Sequence, residues 1–458
     1  MTLVLFEDEF WRHFGPLVYT RPLFDLRCGG FTLRERAATL LAGVHGRAGT
    51  VDPASQMLTG LCRSHLMAAC CPGGVLGRVL GNGQPLVLVN GRALALDWLP
   101  DLYNEPINTV YTSSGVLLGA HLSPALASAV FYYLREQQAT EALAELQRFT
   151  RVIAIDTPLL HYPWDLITQA GEQLVRDLPL LAHRLPRYNH TDAQISVRRG
   201  QDIYVAPTAR LDGPVVLDAT DGPIMIDEHA HIEPSSFIQG PAYIGAKSLI
   251  SSARIRGETS IGPVCRIGGE VEASTVQGFS NKHHDGFLGH SWLGEWVNVG
   301  AMTTNSDLKN TYGNIRVVIE GLGQLNSGQL KLGCFLADHA KLSIGLHLNG
   351  GTMIGTGSSI FGVHVAPKTV PAFTWGGEVF REYRIDGMID VARRVMQRRK
   401  QVLSPEYEAM LRAVFQMTRS SRGQLDAPRA PRPVNPGDTG ELLLLRAEEE
   451  SVRSFEAA

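Results

Sequence analysis

Residues 226–268 read IDEHAHIEPSSFIQGPAYIGAKSLISSARIRGETSIGPVCRIG, and this stretch decides the fold. Isoleucine recurs in it at every sixth position, with one shortened interval: Ile226, Ile232, Ile238, Ile244, Ile250, Ile255, Ile261 and Ile267. A period of six fits neither a 3.6-residue helix nor a two-residue strand alternation, so each hexad is one short repeating unit. Parallel strands that stack isoleucine on isoleucine satisfy this spacing, so the stretch predicts a coiled parallel β-helix.

The repeats extend beyond this stretch in both directions. They begin near Gln201, stay regular to about Gly300, and resume from Leu332 to Ile360. Between Asn305 and Asn326 they are lost. A long interruption in a solenoid is usually a loop on one face, and such loops commonly shape binding sites.

Composition bounds the class of protein. The chain has 458 residues and a formal net charge of −3. This length predicts two to four domains, and the small charge argues against a dedicated nucleic-acid binder. No apolar run of about 18 residues occurs, so we expect no membrane span. Acidic residues at the start and six scattered cysteines predict a cytoplasmic protein with free thiols.

The first 186 residues have the pattern of an α/β domain, with short apolar strands and helices at 125–137 and 140–149. Residues 20–35, TRPLFDLRCGGFTLRE, are the most informative part. Thr32 and Glu35 form a capping box that starts a helix directly after Gly29-Gly30. A helix start offers backbone N–H groups to an anion, and Arg21, Arg27 and Arg34 would surround it as phosphate ligands. The alternative is that these arginines form salt bridges.

This segment, with Leu86–Arg92 and Pro163-Trp164-Asp165, resembles the variant sugar nucleotidyltransferase domain that is found fused to a hexapeptide β-helix. The resemblance implies nucleoside triphosphate as a substrate and Mg²⁺ as a cofactor. It assigns nucleotide binding to Arg21, Arg27, Gly29, Gly30, Arg34 and Asn90. Where the larger family has a magnesium-binding Gly-Asp, this chain has Asn90-Gly91-Arg92, so Asp165 is the replacement ligand or, alternatively, a helix N-cap.

A polar run, residues 280–290, interrupts the apolar repeats and contains His283, His284 and His290. Three explanations stand beside one another: a metal site, solvated loop histidines, or a general base. A neutral imidazole has a pKa of about 6.5 and can take a proton from an amine, which favours the general base. Adjacent histidines on an extended chain would point to opposite faces, so only one would reach a substrate.

This region resembles the acetyltransferase half of the bifunctional N-acetylglucosamine-1-phosphate uridyltransferase and glucosamine-1-phosphate N-acetyltransferase family. Asn298-Val299-Gly300-Ala301 matches the family's Asn-Ile-Gly-Ala, and His284 stands fourteen residues earlier, where the family has its catalytic histidine. The resemblance makes His284 the base, with His283 as the alternative. It assigns the sugar phosphate to Arg254, Asn298, Asn305 and, as a substitute, Lys282, and acetyl-CoA to Ala301. Phe287 and Ser274 replace the family's tyrosine and lysine, so two phosphate contacts are missing.

Two amphipathic helices are predicted after the coil, at 386–402 and 405–417, with Ser404 as the cap of the second. A basic run contacts CoA phosphates or forms a solvated face: Arg393, Arg394, Arg398, Arg399 and Lys400. From Ser420 onward we expect disorder, apart from a short helix near residues 442–447.

The predicted fold class is an α/β nucleotidyltransferase-like domain (1–186), a linker (187–200), a left-handed parallel β-helix (201–375), C-terminal helices (376–419) and a mostly disordered tail (420–458). The predicted function is bifunctional: acetyl transfer from acetyl-CoA to a hexosamine 1-phosphate, and nucleotidyl transfer to the sugar 1-phosphate. The expected partners are these small molecules, without nucleic acid or membrane, and the expected assembly is a homotrimer. The alternatives are a single-activity nucleotidyltransferase with a β-helix scaffold, and a non-catalytic sugar-nucleotide sensor.

Overall fold

The computed structural model describes residues 2–46, 57–71, 83–182, 184–189, 192–362 and 364–423. Most of the predicted tail, including the helix near residues 442–447, lies outside the described residues. Within the described part, no helix is long and apolar enough to cross a bilayer.

The N-terminal part is built on a mixed six-stranded sheet. Its strands, in spatial order, are Met57–Leu61, Thr2–Phe6, Leu86–Asn90, Val116–Leu122, Thr109–Ser113 and Arg151–Ala154. The first three are parallel, and Val116–Leu122 is antiparallel to both of its neighbours. Every residue of Thr2–Phe6 and Leu86–Asn90 is buried, as expected for central strands that are covered on both faces.

Helices and short elements complete this part, and both helices predicted between residues 125 and 149 are confirmed. The α-helices are Leu33–Gly46, Ser64–Cys70, Leu99–Asn104, Pro124–Arg135, Ala139–Leu146, Asp165–Thr168 and Ala170–Leu181. The 3₁₀ helices are Glu9–Phe14 and Leu23–Asp25, and Arg27–Cys28 pairs with Phe31–Thr32 in a small antiparallel ribbon.

The predicted β-helix is confirmed, and its sheets run along the coil. One sheet has nine strands: Ile203–Val205, Ile224–Ile226, Ala242–Ile244, Thr259–Ile261, Thr275–Gly278, Trp292–Glu295, Phe335–Leu336, Met353–Ile354 and Thr369–Val370. The other has fourteen: Ile195–Arg198, Arg210–Leu211, Val215–Asp218, His231–Ile232, Ser236–Gln239, Leu249–Ile255, Arg266–Glu272, Asn281–Lys282, Phe287–Gly289, Asn298–Val299, Lys341–Leu342, Ser359–Ile360, Thr374–Gly376 and Phe380–Glu382. The first of these, Ile195–Arg198, lies within the predicted linker.

The isoleucine period has a simple structural cause, because three hexads make one turn of the coil. Every third isoleucine therefore stacks on the one below, and the eight isoleucines form three ladders: Ile226, Ile244 and Ile261; Ile232, Ile250 and Ile267; Ile238 and Ile255. All eight are fully buried. Burial of one such side chain contributes about 1.5–3 kcal/mol, so the ladders are the main core of the coil.

The interruption in the repeats contains an antiparallel hairpin, Arg316–Ile319 with Gly323–Asn326. Its apolar residues do not project freely. Ile315, Val317 and Ile319 are buried in one core cluster with Trp292 on the coil and Phe14 in the N-terminal part. A short pair of strands, Thr304–Asn305 with His347–Leu348, closes the coil beneath the hairpin. The insertion therefore joins the coil to the N-terminal part.

The two predicted C-terminal helices are confirmed as Ile385–Arg398 and Pro405–Met417, followed by a turn of helix at Arg419–Arg422. The Ser404 side chain accepts a hydrogen bond from the Tyr407 backbone N–H at 3.2 Å, as predicted for the N-cap. The apolar face of the second helix packs into a core cluster that also contains Leu66 of helix Ser64–Cys70.

Candidate functional site

Polar side chains share one outward face of the fourteen-stranded sheet. Arg266 lies beside Asn281 in register, and Asn281 lies beside Asn298. The Asn281 side-chain amide donates to Asn298 Oδ1 at 3.0 Å. The Asn298 amide nitrogen has no acceptor among the described residues, so this predicted substrate residue keeps a free donor.

His284 lies at the corner of the coil where this face ends, directly after strand Asn281–Lys282. Its side chain is exposed, and its ring makes no hydrogen bond within the described chain. Ala301 lies one turn above it, since the Met302 backbone N–H donates to Asp285 O at 2.8 Å. The structure therefore brings together the predicted base and the predicted acetyl-CoA residue.

The prediction that His283 and His284 point to opposite faces is wrong. Their ring centroids are 5.1 Å apart, because the strand ends at Lys282 and both histidines lie in the following bend. Burial is the main cause that lowers the pKa of His283, and its Nδ1 is a buried atom without a partner. Among the described residues there is no cluster of three or more candidate metal ligands, so this corner does not support the metal hypothesis.

Lys282 points into the coil, where it continues the ladder of Ile250 and Ile267. Its ammonium donates to three carbonyl oxygens, those of Gly268 at 2.7 Å, His284 at 2.8 Å and Gly286 at 2.6 Å. Burial lowers its pKa to about 8. A phosphate contact for Lys282 remains a prediction, and these bonds argue against it because all three donors are used.

The remaining predicted acceptor residues divide into one exposed and one buried. The Arg254 side chain is 62% exposed and lies 3.6 Å from Glu270, a weak surface pair that leaves the guanidinium available. Asn305 is buried, and its side-chain amide exchanges hydrogen bonds with the Gly289 backbone at 2.8 and 2.9 Å. This double bond holds Asn305 inside the coil, which argues against its predicted sugar contact.

A group of unpaired cations lies near these histidines: Arg266 was not singled out from the sequence, whereas Arg398 and Arg399 belong to the basic run that was predicted to contact CoA phosphates or to form a solvated face. Arg266, Arg398 and Arg399 form no ion pair with any described residue. Burial lowers the pKa of the Arg399 guanidinium, and the positive charge of Arg266 lowers it further. Arg266 and Arg399 also help to lower the pKa of His283. A bound anion would relieve this repulsion, which fits phosphate.

In the N-terminal part, the predicted capping box is confirmed. Glu35 N–H donates to Thr32 Oγ1 at 3.1 Å, and Thr32 N–H donates to Glu35 Oε2 at 2.8 Å. The anion at the glycine turn is a carboxylate of the protein: Gly30 N–H donates to Asp177 Oδ2 at 2.9 Å. Gly29, with φ of +77°, has no room for a side chain, because a Cβ would lie 2.5 Å from the same oxygen.

The three predicted phosphate arginines all have protein partners. Arg21 bonds Asp338 of the coil at 2.5 Å, Arg27 bonds Gly30 O at 2.6 Å and Glu35 at 3.0 Å, and Arg34 bonds Asp25 at 2.6 Å. Arg21 and Arg27 are buried. Their nucleotide role remains a prediction, and the contacts favour the salt-bridge alternative.

Asn90 and Asp165 also have partners within the chain. The Asn90 side chain donates to Asp8 at 3.0 Å, and Arg92 Nε donates to the same carboxylate at 2.7 Å. Asp165 Oδ2 accepts the backbone N–H groups of His161 at 2.7 Å and Tyr162 at 3.0 Å. Asp165 is the first residue of helix Asp165–Thr168, so the N-cap alternative is wrong. Its bonds to two preceding N–H groups fit a turn-stabilising role better than that of a metal ligand, and the described residues contain no group of three or more candidate ligands.

The fold joins an α/β domain of the nucleotidyltransferase-like class to a hexapeptide-repeat β-helix. Comparison with known proteins agrees. Residues 3–185 match the family model described as sugar nucleotidyl transferase.

The curated relatives confirm the resemblance to the bifunctional family. A segment of 201 residues is 30% identical to Bifunctional protein GlmU of Acidithiobacillus ferrooxidans, over 41% of each chain. Another, of 143 residues, is 32% identical to the Bifunctional sugar-1-phosphate nucleotidylyltransferase/acetyltransferase of Sulfurisphaera tokodaii, over 31% of this chain and 35% of that protein. The chain thus spans less than half the length of these relatives.

Among solved structures, a UDP-N-acetylglucosamine acyltransferase of Francisella novicida covers 56% of this chain and 87% of its own. The identity is 12% and the TM-score is 0.24, which is too low to support a shared function.

Proposed function

We propose that the chain is a bifunctional sugar-nucleotide enzyme whose coil transfers an acetyl group from acetyl-CoA to the amine of a phosphorylated amino sugar. The observation that carries this proposal is the corner at which an exposed His284 lies one turn below Ala301 and next to His283, whose pKa Arg266 and Arg399 help to lower. The substrate chemistry is supported by the two activities for which the Sulfurisphaera tokodaii relative is named, sugar-1-phosphate nucleotidylyl transfer and acetyl transfer.

In the proposed reaction, the His284 imidazole takes a proton from the amine as its nitrogen attacks the thioester carbonyl carbon. The tetrahedral oxyanion then collapses, and the thiolate of CoA leaves. The Ala301 backbone N–H has no acceptor among the described residues, so it is available to stabilise the oxyanion. General base catalysis of this kind contributes about 10²–10⁴-fold.

Arg254, Arg266 and Arg399 bind the acceptor phosphate in this proposal. They replace the two phosphate contacts that Phe287 and Ser274 cannot supply. Because Arg399 is contributed by the C-terminal helices, those helices would belong to the active site.

The N-terminal part would transfer a nucleotidyl group from a nucleoside triphosphate to the sugar 1-phosphate, as its family model suggests. The buried contacts of Arg21, Arg27 and Asp177 favour a second candidate, in which the N-terminal part braces the coil and only acyl transfer remains. Both versions include the acyl transfer.

We further propose that the chain forms a homotrimer. The corner that carries His284 also exposes Met302 and Ile344, whose exposed fractions are 63% and 74%. Symmetric copies around a common axis would bury such residues. Light scattering that shows a monomer at micromolar concentration would contradict this.

The experiment is incubation of the purified protein with amino-sugar 1-phosphates, nucleoside triphosphates and acetyl-CoA, followed by mass spectrometry. The proposal expects an acetylated sugar phosphate, and the bifunctional version also expects a nucleotide sugar and pyrophosphate. An acetylated product alone selects the second candidate. The absence of acetylation with every amino sugar refutes both.

A further inference from the structure

Two cysteines lie close together beneath the N-terminal sheet. Cys62 follows strand Met57–Leu61, and Cys71 follows helix Ser64–Cys70. Their Sγ atoms are 3.9 Å apart, within hydrogen-bond distance for sulfur, and both side chains are reduced. A disulfide needs about 2.05 Å between its sulfurs, so the two atoms must approach by only about 2 Å.

The two thiols have different electrostatic surroundings. A hydrogen bond from the Cys62 thiol is the main cause that lowers the pKa of Cys71, and the Arg34 guanidinium, with Nη2 at 3.6 Å from the sulfur, adds to it. The same hydrogen bond raises the pKa of Cys62. A guanidinium beside a thiolate favours reactivity, and of the two side chains Cys71, which is 7% exposed, is the more accessible.

Other cysteines of the chain differ in this respect. Burial raises the pKa of Cys28, Cys70, Cys265 and Cys334 to about 12. These thiols stay protonated near neutral pH, whereas the Cys71 sulfur lies beside both a guanidinium and a second thiol.

We propose that Cys62 and Cys71 form a redox site that low-molecular-weight disulfides, such as oxidised glutathione, convert reversibly into an intramolecular disulfide. The Cys71 thiolate attacks one sulfur of the small disulfide, forms a mixed disulfide and expels a thiolate. Cys62 then loses its proton and attacks the Cys71 sulfur, which expels the second thiolate. The net change is two protein thiols and one small disulfide to one protein disulfide and two small thiols.

The disulfide would tie together both ends of helix Ser64–Cys70. That helix buries Leu66 in the same core cluster as Met410 and Leu411 of the C-terminal helix Pro405–Met417. Oxidation also removes the thiolate charge of Cys71 that faces Arg34, whereas Arg34 keeps its Asp25 partner. The redox state of the pair therefore acts on the packing between the N-terminal part and the C-terminal helices, whatever reaction the coil performs.

The test is incubation of the full-length protein with reduced and oxidised glutathione at graded ratios, acid quench, alkylation and peptide mass spectrometry. We expect a Cys62–Cys71 cross-link, a mass loss of about 2 Da, and full reversal by excess reduced glutathione. A cross-link that joins other cysteines, or none at the most oxidising ratio, overturns the proposal.

Variants separate the two steps. Cys62→Ser should stop at the mixed disulfide on Cys71, whereas Cys70→Ser, the matched control, should still cross-link. Arg34→Gln should slow the reaction at pH 7, because it removes the guanidinium that helps to lower the pKa of Cys71 while the Cys62 hydrogen bond remains. An unchanged rate in Arg34→Gln, or a Cys70→Ser protein that no longer cross-links, would contradict the assigned roles.

Discussion

Asp177→Ala should strongly destabilise the folded chain, because it leaves the buried Arg36 guanidinium and the Gly30 N–H without their acceptor. In the wild type, the Asp177 carboxylate occupies the position at the glycine turn that was predicted for a phosphate. Asp177 accepts from Arg36 at 2.8 and 2.9 Å, from Gly30 N–H at 2.9 Å and from Gln173 at 2.8 Å. The side chains of Arg36 and Asp177 are 3% and 1% exposed. Removal of one partner from such a buried pair leaves an uncompensated charge and costs about 3–5 kcal/mol.

The assay is urea unfolding, followed by tryptophan fluorescence and circular dichroism. The same helix offers a matched control, since Glu172 pairs with Arg176 at 2.6 Å on the exposed side. Glu172→Ala should cost less than about 1 kcal/mol. A double replacement, Arg36→Met with Asp177→Leu, should recover much of the lost stability because no buried charge remains. Equal midpoints for Asp177→Ala and Glu172→Ala would refute this account of the glycine turn.

Three further predictions concern the coil. The pKa of Lys282 is 10.5 in the unfolded chain and about 8 in the folded chain. Between pH 8 and 10.5, the unfolded state therefore binds more protons than the folded state. The contribution of Lys282 to the free energy of unfolding therefore rises with pH. Between pH 8 and 10.5, the wild type should become more stable than Lys282→Met by up to about 3 kcal/mol. Urea unfolding curves at these pH values that show no such increase would contradict the burial of the ammonium. Arg266→Gln and Arg399→Gln should each raise the KM for a phosphorylated acceptor by about tenfold with kcat nearly unchanged, because each loses one charge-assisted bond to the phosphate. The surface variant Arg412→Gln should leave KM unchanged. Equal KM values in all three variants would show that Arg266 and Arg399 do not bind the acceptor. Asn305→Ala should lower the melting temperature without raising the KM for the acceptor, because both side-chain bonds of Asn305 are to the Gly289 backbone. A raised KM with an unchanged melting temperature would instead support the predicted contact between Asn305 and the substrate.

The features that were predicted correctly depend on residues that are close in sequence or that repeat regularly along it. Ile226 and its successors form ladders because each turn of the coil meets the next by the same contacts, so the period survives in the sequence. The capping box at Thr32 and the cap at Ser404 were predictable for the same reason, since both partners lie within three residues.

What the sequence did not predict depends on partners far away along the chain. Arg21 pairs with Asp338, and the glycine turn donates a hydrogen bond to Asp177. The arginines and glycines that suggested phosphate binding are therefore bound to carboxylates of the protein itself. Arg399 approaches Arg266 only because the C-terminal helices fold back on the coil. His283 and His284 were assigned to opposite faces because the strand was expected to continue through them, whereas it ends at Lys282.

The central claim, acyl transfer at the His284 corner, is tested most directly by CoA release with acetyl-CoA and the best amino-sugar phosphate. His284→Ala is compared with His347→Ala, which removes an exposed histidine elsewhere on the coil. The account predicts that His284→Ala lowers kcat by about 10²–10⁴-fold and that His347→Ala leaves it unchanged. Equal rates in wild type and both variants would contradict the claim and return the coil to a scaffold.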